Sequence, residues 1–165
     1  MNVAIVGAGN IGSAIAFSFI FHPKIENVFL SDINTGKLVG ELNDLNAASL
    51  QLVDDELFSE WKGQDVDYVF ICAGSARKDF ESDESLFEKN VAVVDECLSN
   101  LPKEKCYILT NPSKMLGEFF HCRYLGNRLD EIRSEFGLMN GWEVLSLKGY
   151  TNWGIAAEAW KAIRY

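Results

Sequence analysis

Basic residues are few in this chain, and their scarcity limits the partners that it is expected to bind. The 15 lysines and arginines stand against 24 aspartates and glutamates, which gives a formal net charge of −9. Nucleic-acid binding requires clustered Lys and Arg that neutralise phosphates, so we expect no nucleic-acid partner. The acidic balance does not exclude a nucleotide cofactor, because backbone N–H groups at the start of a helix can hold a pyrophosphate.

Histidines, paired cysteines and long apolar runs are also lacking. The two histidines and four cysteines include no C-x-x-C pair and provide too few well-spaced ligands for zinc, so we expect no bound metal. No apolar run is long enough to span a membrane, and Met1 leads directly into an apolar strand rather than a secretory leader. We therefore expect a cytoplasmic protein with no membrane partner, whose cysteines (Cys72, Cys97, Cys106 and Cys122) are buried, reduced thiols.

The chain is rich instead in short apolar segments that alternate with segments of helical periodicity. Strands are predicted at 3–6, 28–30, 66–72 and 106–110, with weaker signals at 57–58 and 124–125. Helices are predicted at 11–21, 37–52, 85–98, 114–120, 129–136 and 150–163. Repeated βα units are typical of an α/β fold of the Rossmann type, a doubly wound parallel sheet with helices on both faces. We expect a boundary near residue 126, with a nucleotide-binding domain at 1–126 and a helical part at 127–165 packed on it.

A glycine motif follows the first predicted strand and opens the first predicted helix. Gly7 permits a tight turn, Gly9 lets the backbone approach a pyrophosphate, and Gly12 lets the helix pack closely on the strand. Asp32 stands twenty residues after Gly12, at the end of the second predicted strand. A carboxylate at this position accepts hydrogen bonds from the ribose hydroxyls of NAD and repels the additional phosphate of NADP. The alternative is a bare turn and an acid that only ends a strand. The register of strand, turn, helix and acid favours NAD.

Further segments accompany this motif in a fixed order: Gly40-Glu41, Asp44-Leu45, 72–78, Lys89-Asn90 and 110–112. With them, residues 1 to 121 resemble the L-lactate and malate dehydrogenases, and shorter similar segments follow at 123–126, 129–133 and 147–153. The resemblance implies a Rossmann domain, followed at 127–165 by a reduced, helical remnant of the family's substrate domain. It implies NAD as cofactor, bound by Gly7, Gly9, Asn10, Ile11, Gly12, Asp32, Ala73, Gly74 and Asn111.

The resemblance also implies a site for a small 2-oxo or 2-hydroxy acid. Arg77 matches an arginine that contacts the distal carboxylate of malate-type substrates, and Asn111 matches an asparagine that hydrogen-bonds the substrate oxygen. Arg133 matches the arginine that forks onto the substrate carboxylate, a task suited to a guanidinium. Asp130 matches the acid that orients a catalytic histidine. Thr151, with the nearby residue 155, matches residues beside the substrate and the nicotinamide.

Each of these residues also has a purely structural interpretation. Arg77 is then a solvated loop charge, and Asn111 before a proline only ends a strand. Asp130 and Arg133, three residues apart on a predicted helix, then form a surface ion pair. Thr151 is then a plain helix N-cap.

The departures from the family concern catalysis. The histidine-bearing segment that the family has between the helices of Asp130 and Thr151 is absent, and residues 141–146 stand in that region. The family has a second arginine, which polarises the substrate carbonyl. In this chain the corresponding position is occupied by Asp83, within an acidic loop. His22 and His121 are expected at helix ends away from the crevice, as partly exposed structural residues. No residue is therefore assigned as catalytic; Asp130 and Arg133 are vestigial candidates.

The sequence therefore predicts an NAD(H)-binding protein of lactate/malate dehydrogenase type that lacks normal dehydrogenase activity. One alternative is a shortened dehydrogenase that uses another base, with Asp130, Glu135 and Glu143 as candidates. A second alternative is a non-catalytic interaction module. The resemblance also implies a homodimer through the helices at 40–52 and 149–163, whose apolar residues require cover on a small domain.

Overall fold

One parallel β-sheet organises the molecule, in a computed structural model that describes residues 1–78, 81–126 and 128–163. Its six strands lie in the order β3-β2-β1-β4-β5-β6, and every neighbouring pair is parallel. The strand order therefore reverses between β1 and β4, which is where open α/β sheets bind ligands. The strands are β1 (Asn2–Val6), β2 (Asn27–Ser31), β3 (Phe58–Glu60), β4 (Tyr68–Ile71), β5 (Cys106–Ile108) and β6 (Arg123–Tyr124).

Within the described residues, seven α-helices accompany the strands, and six of them were predicted from the sequence with ends that coincide or differ by up to three residues. The predicted strands at 66–72 and 106–110 are shorter than expected, and both weaker strand signals are confirmed. One helix, at 141–148, was missed. The helices are α1 (Asn10–Phe19), α2 (Thr35–Val53), α3 (Asp83–Leu98), α4 (Ser113–Phe120), α5 (Leu129–Glu135), α6 (Gly141–Lys148) and α7 (Trp153–Ala162).

The core lies in two layers, one on each face of the sheet. Side chains alternate along β1, so that Val3 and Ile5 face one layer while Ala4 faces the other. Helices α1, α2 and α7 cover the first face, and α3 and α4 cover the second. The doubly wound Rossmann fold expected from the alternating segments is thus confirmed.

The last helix joins the core directly. It packs on α1, and its buried apolar residues and neighbours are Ile155, Ala156, Ala159 and Ile163. Glu158 accepts a 2.9 Å hydrogen bond from the N–H of Gly126, which fixes α7 to the loop after β6. Helices α5 and α6 contain no buried residue. The part after residue 126 is therefore anchored by α7.

The expectation that His22 is partly exposed was wrong. His22 is only 4% exposed, with its ring against Phe19 and Trp160. Its Nε2 lies 3.3 Å from the carbonyl of Ile163, and its Nδ1 accepts a hydrogen bond from the N–H of Lys24. The local sequence around His22 could not predict this burial, because Trp160 and Ile163 lie far along the chain. His121 is exposed at the left-handed end of α4.

All four cysteines are free, as expected, but only Cys106 and Cys122 are fully buried; Cys72 and Cys97 are half-buried. Burial raises the pKa of the Cys106 thiol to about 12, which keeps it protonated near neutral pH.

Within the described ranges, no helix has both the length and the apolar character needed to cross a bilayer.

Candidate cofactor and substrate cleft

The glycine motif forms the turn between β1 and α1. Gly7 has a φ of +99°, and a Cβ there would lie 2.6 Å from the backbone nitrogen of Ala73. A Cβ on Gly12 would overlap the carbonyl oxygen of Gly7. Glycine is therefore required at both positions, for the turn itself and for close packing of the helix on it.

The start of α1 is open and carries free backbone donors. Gly9 is the N-cap, the first helical bond runs from the N–H of Ser13 to the Gly9 carbonyl, and no side chain caps this end. A Cβ on Gly9 would approach only the Nζ of Lys37, at 4.0 Å. The N–H groups of the first turn, aided by the helix dipole and this lysine, thus fit an anionic pyrophosphate.

Asp32 directly follows β2, as the sequence predicted. Its Oδ2 accepts a 2.8 Å hydrogen bond from the N–H of Ala8, and its Oδ1 accepts one of 2.8 Å from Asn34. Each carboxylate oxygen keeps a second acceptor position, and the residue is half-exposed. The carboxylate is therefore oriented by the turn and fits ribose hydroxyls.

A cleft of about 760 Å³ opens beside this turn and collects most of the predicted site residues. Gly7, Gly12, Asp32 and Ala73 do not line it. Asp32 lies beside the turn, and Gly7 packs against Ala73 beneath it. The predicted residues that line the cleft are Gly9, Asn10, Ile11, Gly74, Arg77, Asn111, Asp130, Arg133, Thr151 and Ile155.

Buried Asn90 on α3 holds together the two loops that form the cleft wall. Its Oδ1 accepts a 2.7 Å hydrogen bond from the N–H of Ser75, and its Nδ2 donates to the carbonyl of Asn111 at 2.7 Å. The loops after β4 and β5 are thereby joined, and Asn111 itself is exposed at the cleft. The sequence motif included Asn90, but it gave no sign of this role.

Arg77 lies in the cleft and is already engaged by its own chain. It donates to the carbonyl of Glu81 at 2.7 Å and forms an ion pair with Asp83. The ring of Trp142 lies 5.2 Å from its guanidinium carbon, a cation–π distance. With its side chain 14% exposed, Arg77 is not the solvated loop charge of the structural interpretation.

Asp130 and Arg133 form the ion pair that the structural interpretation describes, and both also line the cleft. The same Asp130 oxygen accepts a 2.7 Å hydrogen bond from the N–H of Gly141, which ties α5 to the start of α6. The N-cap interpretation of Thr151 was wrong, because the N-cap of α7 is Asn152.

One acidic side chain of the cleft, Glu81, is held in its ionised form. The side chain of Glu81 bonds to Lys89, and this bond lowers the pKa of the Glu81 carboxyl to about 2, so it is ionised near neutrality. No histidine occurs among the described residues that line the cleft. Among all the residues that the structure describes, no group of three histidine, cysteine or acidic side chains is arranged to hold a metal. Lys37 and Trp142 are among the cleft residues that sequence reasoning missed.

Residues 1–123 match the family described as lactate/malate dehydrogenase, NAD binding domain. The probable malate dehydrogenase of Campylobacter jejuni is 32% identical over 126 residues, which cover 70% of this chain and 41% of that protein. L-lactate dehydrogenase 1 of Peribacillus psychrosaccharolyticus is 32% identical over 69% of this chain and 38% of its own length. Malate dehydrogenase of Archaeoglobus fulgidus is 28% identical over 85% of this chain and 53% of its own length.

Two solved structures have the same fold at low sequence identity. Archaeoglobus fulgidus malate dehydrogenase superposes with a TM-score of 0.77 at 22% identity, over 98% of this chain and 76% of that one. The Aeropyrum pernix malate dehydrogenase gives a TM-score of 0.75 at 21% identity, over 94% and 74%. The chain thus spans about two fifths to one half of the length of the curated relatives it matches.

Proposed function

This chain belongs to the lactate/malate dehydrogenase family and carries its NAD-binding domain, and we propose that it binds NAD(H) while turning over small 2-oxo acids far more slowly than an ordinary dehydrogenase. The proposal has two parts, a binding site for the cofactor and a cleft without a suitable proton donor.

The binding part is supported by the chemistry of the turn. The first-turn N–H groups of α1 would hold the pyrophosphate, with the Nζ of Lys37 adding positive charge. Asp32, held by the N–H groups of Ala8 and Asn34, would accept the ribose hydroxyls. When bound, the nicotinamide supplies the hydride donor or acceptor. Asn90 would keep the walls of the cleft in place around it.

The observation that carries the catalytic part is the environment of Asp130. This carboxylate accepts hydrogen bonds from Arg133 and from the N–H of Gly141, in a cleft whose described lining includes no histidine to orient. Reduction of a 2-oxo acid requires a proton for the developing alkoxide, and general acid catalysis contributes about a hundredfold to ten-thousandfold. Glu81 does not fill this role, because an ionised carboxylate with a lowered pKa holds no proton to give.

The pairing of the positive charge of Arg77 supports the same conclusion. Arg77, a cation that lines the cleft beside the acidic loop, is paired with Asp83 rather than free to polarise a substrate oxygen. Removal of one fixed electrostatic donor typically costs a further hundredfold to thousandfold in rate. Arg133 and Asn111 would still orient a small acid, so the proposal includes slow residual turnover.

A titration of NADH into the purified protein tests the binding part. We expect saturable binding and a stability gain of about 2.7 kcal/mol at a hundredfold excess of NADH over Kd. NADPH should bind more weakly, because its additional phosphate meets the Asp32 carboxylate. If millimolar NADH fails to bind, the non-catalytic interaction module predicted as an alternative becomes the better account.

A further inference from the structure

The two arginines of the cleft differ in how many of their donors remain available. Arg77 donates to the Glu81 carbonyl and to Asp83, and the Trp142 ring covers its guanidinium. A ligand carboxylate would have to displace Asp83, which is attached to the same chain and is therefore present at a high effective concentration. Arg77 is thus poorly placed to bind a distal carboxylate.

Arg133 is in the opposite situation. Within the described residues, the only hydrogen bond of its guanidinium is the 2.7 Å bond from Nη1 to Asp130. A guanidinium has five N–H donors, so Arg133 keeps donors for one carboxylate while its bond to Asp130 persists. The geometry therefore provides for one carboxylate in this part of the cleft.

One part of the remaining wall, near Arg133, is apolar. Trp142 is 55% exposed and lines the cleft together with Leu145 and Ile155. Gly141 sets the position of Trp142, because its N–H is bonded to Asp130 and a Cβ there would lie 3.1 Å from the Arg133 guanidinium. An apolar substituent placed on the indole would remove apolar area from water, which is favourable by about 25 cal/mol per Å².

We propose that the cleft selects 2-oxo or 2-hydroxy monocarboxylates with an apolar or aromatic substituent, which packs on Trp142, over the dicarboxylates that the position of Arg77 alone would indicate. The inference rests on the proposed function, since the acid binds beside the cofactor. Trp142 is the specificity-determining residue, and Asp83 excludes a second carboxylate by holding Arg77.

Calorimetric titrations of the NADH-saturated protein with 2-hydroxy acids test this selectivity. NADH cannot reduce a hydroxy acid, so binding is measured without turnover. We expect phenyllactate to bind at least tenfold more tightly than malate. Trp142→Ala should weaken phenyllactate at least fivefold and change malate less than twofold, while Trp142→Phe restores most of the loss.

Asp83→Asn tests the second half of the proposal. It releases Arg77, so malate should bind at least fivefold more tightly while phenyllactate changes less than twofold. Glu88→Gln is the matched control, because it makes the same charge change on an exposed position of α3 outside the cleft and should change neither affinity. Unchanged NADH affinity in all variants shows that they remain folded.

The outcomes separate the inference from the function on which it rests. Malate that binds the unmodified protein as tightly as phenyllactate overturns the selectivity while the proposed function stands. Binding of NADH without binding of any acid overturns both the selectivity and the acid site. Failure of NADH itself to bind overturns the proposed function first, and the inference with it.

Discussion

The guanidinium of Arg133 donates a 2.7 Å hydrogen bond to the carboxylate of Asp130, one helical turn earlier on α5. The resemblance to the dehydrogenases implies different tasks for these residues, with Asp130 orienting a histidine and Arg133 holding a substrate carboxylate. In this chain the pair is closed on itself and anchored to α6 through Gly141. The guanidinium keeps further N–H donors, whereas the aspartate carboxylate bonds to Arg133 and to the N–H of Gly141 within its own chain.

Removal of the Asp32 carboxylate should weaken cofactor binding and reduce selectivity. Asp32→Ala removes the acceptor for the ribose hydroxyls and leaves the N–H of Ala8 without its partner. Hydrogen bonds to charged groups contribute about 1.5–3 kcal/mol, so we expect the Kd for NADH to rise about tenfold or more. The preference for NADH over NADPH should fall at the same time, as measured by fluorescence titration. Asp95→Ala, at an exposed position of α3, should leave both affinities unchanged.

Two glycine substitutions should have opposite effects on stability. A Cβ on Gly12 overlaps the Gly7 carbonyl, so Gly12→Ala should lower the free energy of unfolding by about 2 kcal/mol or more and disrupt NADH binding. Gly40 lies within α2, with no atom within 4 Å of its Cβ position. Gly40→Ala should therefore stabilise the protein by about 0.5–1 kcal/mol. Urea denaturation of both variants measures this contrast, and equal effects would contradict the packing described for the turn.

Stability should decrease with acidification through His22. Burial lowers the pKa of this imidazole below its ordinary value of 6.5, so the unfolded chain binds its proton more readily than the folded one. The free energy of unfolding should thus fall as the pH drops below about 6.5, towards the lowered pKa of the folded state. His22→Gln should flatten this dependence between pH 5 and 7 in urea denaturation. A slope that His22→Gln leaves intact would assign the effect to other groups.

We also propose that the chain forms a two-fold homodimer through α2 and the segment at 149–163. The structure changes which side chains are available, because Ile155 and Ile163 are buried against the chain's own core. The large apolar residues that remain exposed are Val39, Leu50, Leu52 and Val53 on α2, with Tyr150 and Trp153 in the segment at 149–163. Light scattering at tens of micromolar should give twice the monomer mass, and Leu50→Asp should shift the protein to monomer. A monomeric unmodified protein would contradict this assembly.

The cofactor turn was predictable because its signals are local. Gly7, Gly9 and Gly12 and the acid at Asp32 are spaced by the geometry of one βαβ unit, and the structure places all four as expected. The layers of the sheet were predictable from the repeated βα units, which place helices on both faces of a parallel sheet.

Features that depend on contacts between distant segments were not predictable. Helix α6 begins at a glycine after an Asn140 capping box, with no clear apolar periodicity. Its contact with Arg77 through Trp142 joins residues 65 positions apart. The burial of His22 depends on Trp160 and Ile163, at the far end of the described chain. Nothing in the local sequence of these residues reports such partners.

The most direct test of the account is the turnover of NADH with oxaloacetate and pyruvate, followed by absorbance once NADH binding has been measured. An ordinary enzyme turns over about ten times per second, and we expect rates at least several thousandfold lower for both acids. Arg133→Ala should reduce even this residual rate, since it removes the carboxylate site. Turnover above about one per second, abolished by Arg133→Ala, would contradict the account and show that the chain is a working dehydrogenase in which another group supplies the proton.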